Sequence, residues 1–130
     1  MQGLIMIAGT GIDLVEVRRM QRLLAKWGDR FTGRFFCPRE MAYCRERASP
    51  AIHFAARFAA KEAFLKALGV GLGMGVALKD IEIVNDDRGK PEMFLHGEAQ
   101  RRLGDLGVRR VHLSLTHTVE SAVAMVILET

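Results

Sequence analysis

No apolar run in the 130 residues approaches the roughly 18 needed for a helix to cross a bilayer, so a transmembrane helix is excluded. Cysteine is scarce: Cys37 and Cys44 are the only two. Their seven-position separation is roughly 10 Å along a helix, too far for a disulfide. They read as free thiols rather than as a two-ligand metal site. The stretch Met1 to Ala8 lacks the basic end and cleavage pattern of a secretory signal, which points to a cytoplasmic protein. Aromatic residues make up only 7% and do not interleave with basic ones in a base-stacking pattern. That weakens the case for a nucleic-acid-binding module. There is no internal repeat, linker or low-complexity segment. What is present is 49% hydrophobic and 26% charged residues, the profile of one globular domain spanning 1–130. The net charge of +4 suits an acidic or phosphorylated partner.

The most informative stretch runs from Pro50 to Gly69. It is rich in Ala and Leu, has no proline after position 50, and ends at a glycine suited to cap a helix. Ser49 is placed as its N-cap. On this predicted helix Phe58, Glu62, Leu65 and Gly69 share one face. A carboxylate there is costly unless paired or metal-bound. Lys66 lies one turn on and could pair with Glu62, so spacing leaves both readings open. Arg57 and Lys61, also one turn apart, repel each other and suggest an anion nearby.

Leu4 to Ala8 reads as a buried strand. Gly9 and Gly11 then leave the backbone open to a close neighbour or a ligand. Asp13, with Glu16 three positions on, fits a helix N-cap with a capping box. The helix from Leu14 to Trp27 should bury Val17, Met20, Leu24 and Trp27. Arg18, Arg19, Arg22 and Lys26 face outward, as a solvated face or as a surface for an anionic partner. A turn is expected over Trp27 to Thr32, core contacts from Phe31, Phe35 and Phe36, and a short helix from Pro38 to about Arg47. Val70 to Gly75 is a glycine-rich loop after a helix, not a dinucleotide fingerprint. Ile81–Val84 and Met93–Leu95 form a predicted hairpin about the turn Asn85–Pro91, followed by a short helix from Glu98 to Leu106. Val111, Leu113 and Leu115 alternate with His112, Ser114 and Thr116, and Ser121–Leu128 is the last strand. His117 ends the apolar side of that alternation, where a structural role competes with a functional one.

Three pieces stand together: Gly11-Ile12-Asp13, Phe58-Ala59-Ala60-Lys61-Glu62-Ala63 with Lys66 and Ala67, and Ser114-Leu115-Thr116-His117-Thr118. This constellation closely resembles the 4′-phosphopantetheinyl transferases, specifically the small holo-[acyl-carrier-protein] synthase type. Asp80-Ile81-Glu82-Ile83 and Gly89-Lys90-Pro91 match as well, so the resemblance runs from about Ile7 to Leu128. The chain departs from it in a few extra residues at the start and in Met74 to Ala77, which lacks an expected aromatic.

The resemblance implies an α+β fold, with helices packed on a mostly antiparallel sheet. It implies transfer of the phosphopantetheine arm of coenzyme A to a serine of an acyl carrier protein, in fatty acid biosynthesis. Adenosine 3′,5′-bisphosphate is the other product. It implies Asp13 and Glu62 as Mg²⁺ ligands, and Glu62 and Lys66 as catalytic groups. Arg57, Lys61, Lys66 and His117 become contacts for coenzyme A. The acceptor of the serine proton stays open between Glu62 and a water on the metal. The acidic carrier is expected to dock on Arg18, Arg19, Arg22 and Lys26. Arg57 and Lys66 are nine residues apart, on opposite sides of a helical wheel. With the resemblance, that leads to an expected homotrimer with sites between subunits, binding neither nucleic acid nor membrane.

Overall fold

The computed structural model describes residues 4–71 and 73–130. Met1 to Gly3, and Leu72 in the glycine-rich loop, lie outside the described residues. The order of elements is β1 (Ile7–Glu16), α1 (Val17–Trp27), α2 (Asp29–Phe35), α3 (Pro38–Arg45), α4 (Pro50–Leu68), a 3₁₀ turn (Leu78–Asp80), β2 (Ile81–Asn85), β3 (Pro91–Leu95), α5 (Gly97–Asp105), β4 (Arg110–His117) and β5 (Ser121–Glu129). All strand pairs are antiparallel. One sheet has the order β1-β5-β4, and β2 pairs with β3 in a separate hairpin. The expected α+β class holds.

Helix α4 lies across β1 and β5 and is the centre of the core. Ala55, Ala56, Ala59, Ala60, Ala63 and Ala67 are all buried, and such small side chains let the strands come close. Gly9 and Gly11 complete that approach. A Cβ on Gly9 would collide with the carbonyl oxygen of Ala67, and one on Gly11 with that of Ala63. Of the two roles left open for these glycines, the structure shows the close neighbour. Gly69 ends α4 in the left-handed conformation, φ 79°, where a side chain is disfavoured. At the other end Ser49 holds the N-cap position, but its side chain makes no capping bond.

The first third of the chain departs from its predicted outline. Leu4–Ala8 is not a buried strand: Leu4 is 82% exposed, and β1 begins only at Ile7. The strand then runs on through Asp13, which pairs with Ala124, to Glu16. Asp13 and Glu16 therefore form no capping box, and α1 starts at Val17. Continuous pairing with β5 outweighs the local capping signal. Gly28 alone separates α1 from α2, where a turn to Thr32 was expected.

Val17 and Met20 are buried as predicted, but Trp27 is 44% exposed. Phe31, Phe35, Phe36, Phe54 and Phe58 form one aromatic cluster, with ring centroids 5.1–6.5 Å apart. The hairpin β2–β3 is fastened to α3 by Arg39, whose Nε and Nη2 both donate to Glu82, at 2.9 and 2.8 Å.

Candidate active site

Two segments bring the acidic groups together. Asp13 comes from β1 and Glu62 from the middle of α4, and the glycine contacts hold those two backbones close. Glu62 Oε1 is buried and has no hydrogen-bond partner. Its carboxyl is held above the usual range, first by burial and then by the charge of Asp13; Lys66 and Arg19 act the other way. Lys66 does not pair with Glu62, contrary to one of the two sequence readings. Its Nζ donates to Asp13 Oδ1 and to the Ile12 carbonyl, each at 3.0 Å. The extension of β1 places Asp13 within its reach.

A polar oxygen buried without a partner beside a second carboxylate fits a divalent cation. Among the described residues no group of three or more His, Cys, Asp or Glu side chains could hold a metal. At this spot the described residues present two carboxylates, Asp13 and Glu62. Mg²⁺ commonly sits on one or two carboxylates and takes its other ligands from water and substrate phosphates.

Both carboxylates line a cleft of about 760 Å³ between α1, α2 and α4. Leu23, Trp27, Phe31 and Phe58 make part of its wall, and Arg19, Arg30 and Arg34 also line it. Trp27 is half-exposed because it faces this cleft. Arg18, Arg19, Arg22 and Lys26 are all exposed along α1, as predicted. Arg30 and Arg34 were not singled out from the sequence: Arg30 falls in the expected turn from Trp27 to Thr32, and Arg34 lies just past it among the phenylalanines read as core.

A second charged cluster lies where α3, the start of α4 and the end of β4 meet. The guanidinium groups of Arg47 and Arg57 are 4.2 and 4.1 Å from the centre of the Tyr43 ring. The His53 ring stands edge-on to Tyr43 at 5.9 Å and to His117 at 5.6 Å. Arg57 is only 2% exposed; its Nη2 donates to Asn85 Oδ1 at 2.6 Å, and its Nε has no partner. Among the described residues none of Arg47, His53, Arg57 and His117 is paired with a carboxylate. Tyr43, Arg47 and His53 were overlooked in the sequence, and only the one-turn spacing of His53 and Arg57 hints at their association.

Lys61 is not available to this cluster. Its Nζ is fully buried and donates to Glu40 Oε1 at 2.8 Å, the Leu78 carbonyl at 2.9 Å and the Ile81 carbonyl at 2.5 Å. All three of its donors are used. The coenzyme A contact expected of Lys61 is therefore corrected to a structural tie, and its repulsion from Arg57 is relieved by Glu40. Neither thiol is poised as a nucleophile: burial pushes Cys37 up to about 12 and Cys44 up to about 11.

The model of the 4′-phosphopantetheinyl transferase superfamily matches residues 9–119. The holo-[acyl-carrier-protein] synthase of Syntrophus aciditrophicus (strain SB) is 53% identical over 124 residues, covering 95% of this chain and 97% of that protein. The crystal structure of the holo-[acyl-carrier-protein] synthase from Neisseria meningitidis is 40% identical. It superposes with a TM-score of 0.86 over 96% of this chain and all of that one. A holo-(acyl-carrier-protein) synthase from Bacillus anthracis str. Ames, solved in complex with CoA (3′,5′-ADP), is 39% identical. Its TM-score is 0.78, over 96% of this chain and 98% of that one.

Proposed function

The chain belongs to the 4′-phosphopantetheinyl transferase superfamily, and on that premise we propose that it transfers the 4′-phosphopantetheine arm of coenzyme A to a serine of an apo acyl carrier protein, in fatty acid biosynthesis. Holo carrier protein and adenosine 3′,5′-bisphosphate are the products. The observation that carries this reading is Glu62 Oε1, buried without a partner beside Asp13 in the wall of an arginine-lined cleft.

In the transfer the serine oxygen attacks the phosphorus that bears the pantetheine arm. The bond from that phosphorus to the departing nucleotide breaks, and the serine proton passes to a base at the site, Glu62 or a water. Such a step needs charge neutralisation and alignment more than covalent help from the protein. Asp13 and Glu62 would hold Mg²⁺, which when bound supplies neutralising charge to the pyrophosphate. Lys66, anchored on Asp13, brings an ammonium to the same place. In the second cluster Arg47 and Arg57 supply positive charge for the phosphates of coenzyme A, with the His117 ring beside them as a further contact. The test is direct: incubate the chain with coenzyme A, Mg²⁺ and an apo carrier protein, and weigh the carrier. The expected result is a gain of one phosphopantetheinyl group; an unchanged mass at every Mg²⁺ concentration would overturn the proposal.

Lys66 acts on the transition state in this scheme. Lys66→Ala is expected to lower kcat and kcat/KM together, by about 10²-fold. A normal kcat with only a raised KM for coenzyme A would reduce Lys66 to a ground-state contact.

The row Arg18, Arg19, Arg22 and Lys26 faces solvent, and Arg19 lines the cleft. An acidic carrier would be steered by these charges, and the apolar wall of the cleft offers a seat for its side chains. Arg19→Glu or Arg22→Glu is expected to raise KM for the carrier several-fold and to leave that for coenzyme A unchanged. Wild-type affinity for the carrier should fall with salt more steeply than that of either variant. Unchanged carrier KM in both at low salt would show an ordinary solvated face.

The protein works in the cytoplasm as a homotrimer. The outer face of its three-stranded sheet supports the trimer: Ile12, Leu14 and Met125 are 61%, 58% and 42% exposed there, a patch suited to a partner. Asp13 lies on the edge strand β1 and His117 on the opposite edge strand β4. Two copies side by side would bring the carboxylates of one to the basic cluster of the next. Sedimentation should give the mass of three chains, and a fully active monomer would contradict this.

A further inference from the structure

Four basic side chains and the first turn of α4 converge on one spot without a carboxylate among them. Arg57 belongs to the second turn of α4, and Arg47 follows α3. His117 closes β4, and His53 sits in the first turn of α4. That first turn holds no acidic residue, and its N-cap makes no side-chain bond. The positive end of a 19-residue helix therefore adds to the charge of the two guanidinium groups. Among the groups facing His53, Tyr43 comes from α3, Arg47 from the turn after it, Arg57 from α4 and His117 from β4. Burial first, and then His117, Arg57 and Arg47, disfavour the charged form of His53.

We propose that His53 and His117 are one proton-accepting pair that completes this anion site, so that a phosphate-bearing ligand enters together with a proton. The inference rests on reading the cluster as the place where the phosphates of coenzyme A bind. The physical reason is reciprocal. Within one chain the cluster repels a proton from His53, because the charged groups facing it there are cations, and a phosphate dianion adds a field of the opposite sign, beyond that of any carboxylate a neighbouring copy brings. His53 is the residue that decides the effect, because its ring touches both Tyr43 and His117. It is a positioning residue for His117 and does not touch the reacting atoms.

The sign follows. A histidine whose affinity for a proton is higher in the complex than in the free protein favours binding as pH falls. The gain is complete below the midpoint of the free protein and is lost above that of the complex. The second ionisation of the phosphate, near pH 6, opposes this by weakening the ligand's charge in acid. It does so equally in any variant, so a ratio between two proteins cancels it.

The experiment is calorimetric titration of the full chain with coenzyme A, between pH 6 and 8, in two buffers of different ionisation heat. His53→Phe keeps a ring against Tyr43 and His117 but cannot take a proton. The wild type should take up a fraction of a proton on binding that the variant does not. Its affinity relative to the variant should improve several-fold from pH 8 to pH 6, toward the roughly tenfold limit that a one-unit rise of the midpoint sets at lower pH. A second measurement needs no variant: the four histidine rings can be followed by NMR as pH is changed. With coenzyme A present, the midpoint of His53 should rise by about one pH unit. Equal proton uptake in wild type and His53→Phe, or an unmoved midpoint for His53, would overturn the inference while leaving coenzyme A as the substrate. Failure of coenzyme A to bind the wild type at any pH would instead overturn the functional reading, and this inference with it.

Discussion

Glu62→Ala should lower the rate of transfer by about two to three orders of magnitude and leave the protein as stable as before, or more so. The two halves of this expectation have one cause. Glu62 Oε1 lies buried without a hydrogen bond, so the fold gains nothing from it and bears its desolvation. Removing the carboxylate relieves that cost and deletes one of two cation ligands. Asp13→Ala should lose activity similarly, but it also strips Lys66 of its carboxylate partner and leaves only the Ile12 carbonyl. Turnover at saturating coenzyme A, together with thermal melting, separates the two effects. Near-normal turnover of Glu62→Ala at low Mg²⁺ would show that Glu62 is not a ligand.

Glu40→Ala should do the opposite, costing about 3–5 kcal/mol of stability. Glu40 is 1% exposed and satisfies three groups at once. Oε1 accepts from Lys61 Nζ at 2.8 Å and from the Cys37 amide at 3.0 Å, and Oε2 accepts from the Ile83 amide at 3.1 Å. Without it an ammonium remains buried with no counter-charge, and two amides lose their acceptor. Because the partners act as a unit, Glu40→Ala combined with Lys61→Ala should cost less than the sum of the two. Urea unfolding measures both. A loss below about 1 kcal/mol for Glu40→Ala would mean that water enters and replaces the carboxylate.

The sequence makes some of this plain and hides the rest for physical reasons. Helix α4 and the hairpin carry clear patterns with glycine or proline at their ends, the last two strands read from their apolar content and alternation, and all are found. Asp13 misleads because its spacing to Glu16 satisfies a local capping rule, while its pairing with Ala124 depends on a strand more than a hundred positions away. The chemical singularity of Glu62 is visible, since one carboxylate interrupts an otherwise apolar face. Lys61 is indistinguishable from a surface lysine until Glu40, 21 positions earlier, is seen beside it. His53, Tyr43 and Arg47 become a cluster only when β4 brings up His117, and no local pattern encodes that meeting. The basic face of α1 is legible from one helix alone, whereas the cleft beside it needs three.

The contact of Gly9 and Gly11 with α4 makes strand and helix a single heritable part. Two residues of a strand advance by about 6.6–6.8 Å and four residues of a helix by about 6 Å, so Gly9 meets Ala67 as Gly11 meets Ala63, in step. The spacing of Asp13 from Glu62 is thereby set by main chain against main chain, not by side-chain choice. A one-residue insertion in β1 turns Asp13 to the other face of the sheet, and one in α4 rotates Glu62 by about 100°. Neither segment can drift in length without the other. Grafting α4 from a distant relative should therefore succeed only when its own β1 travels with it.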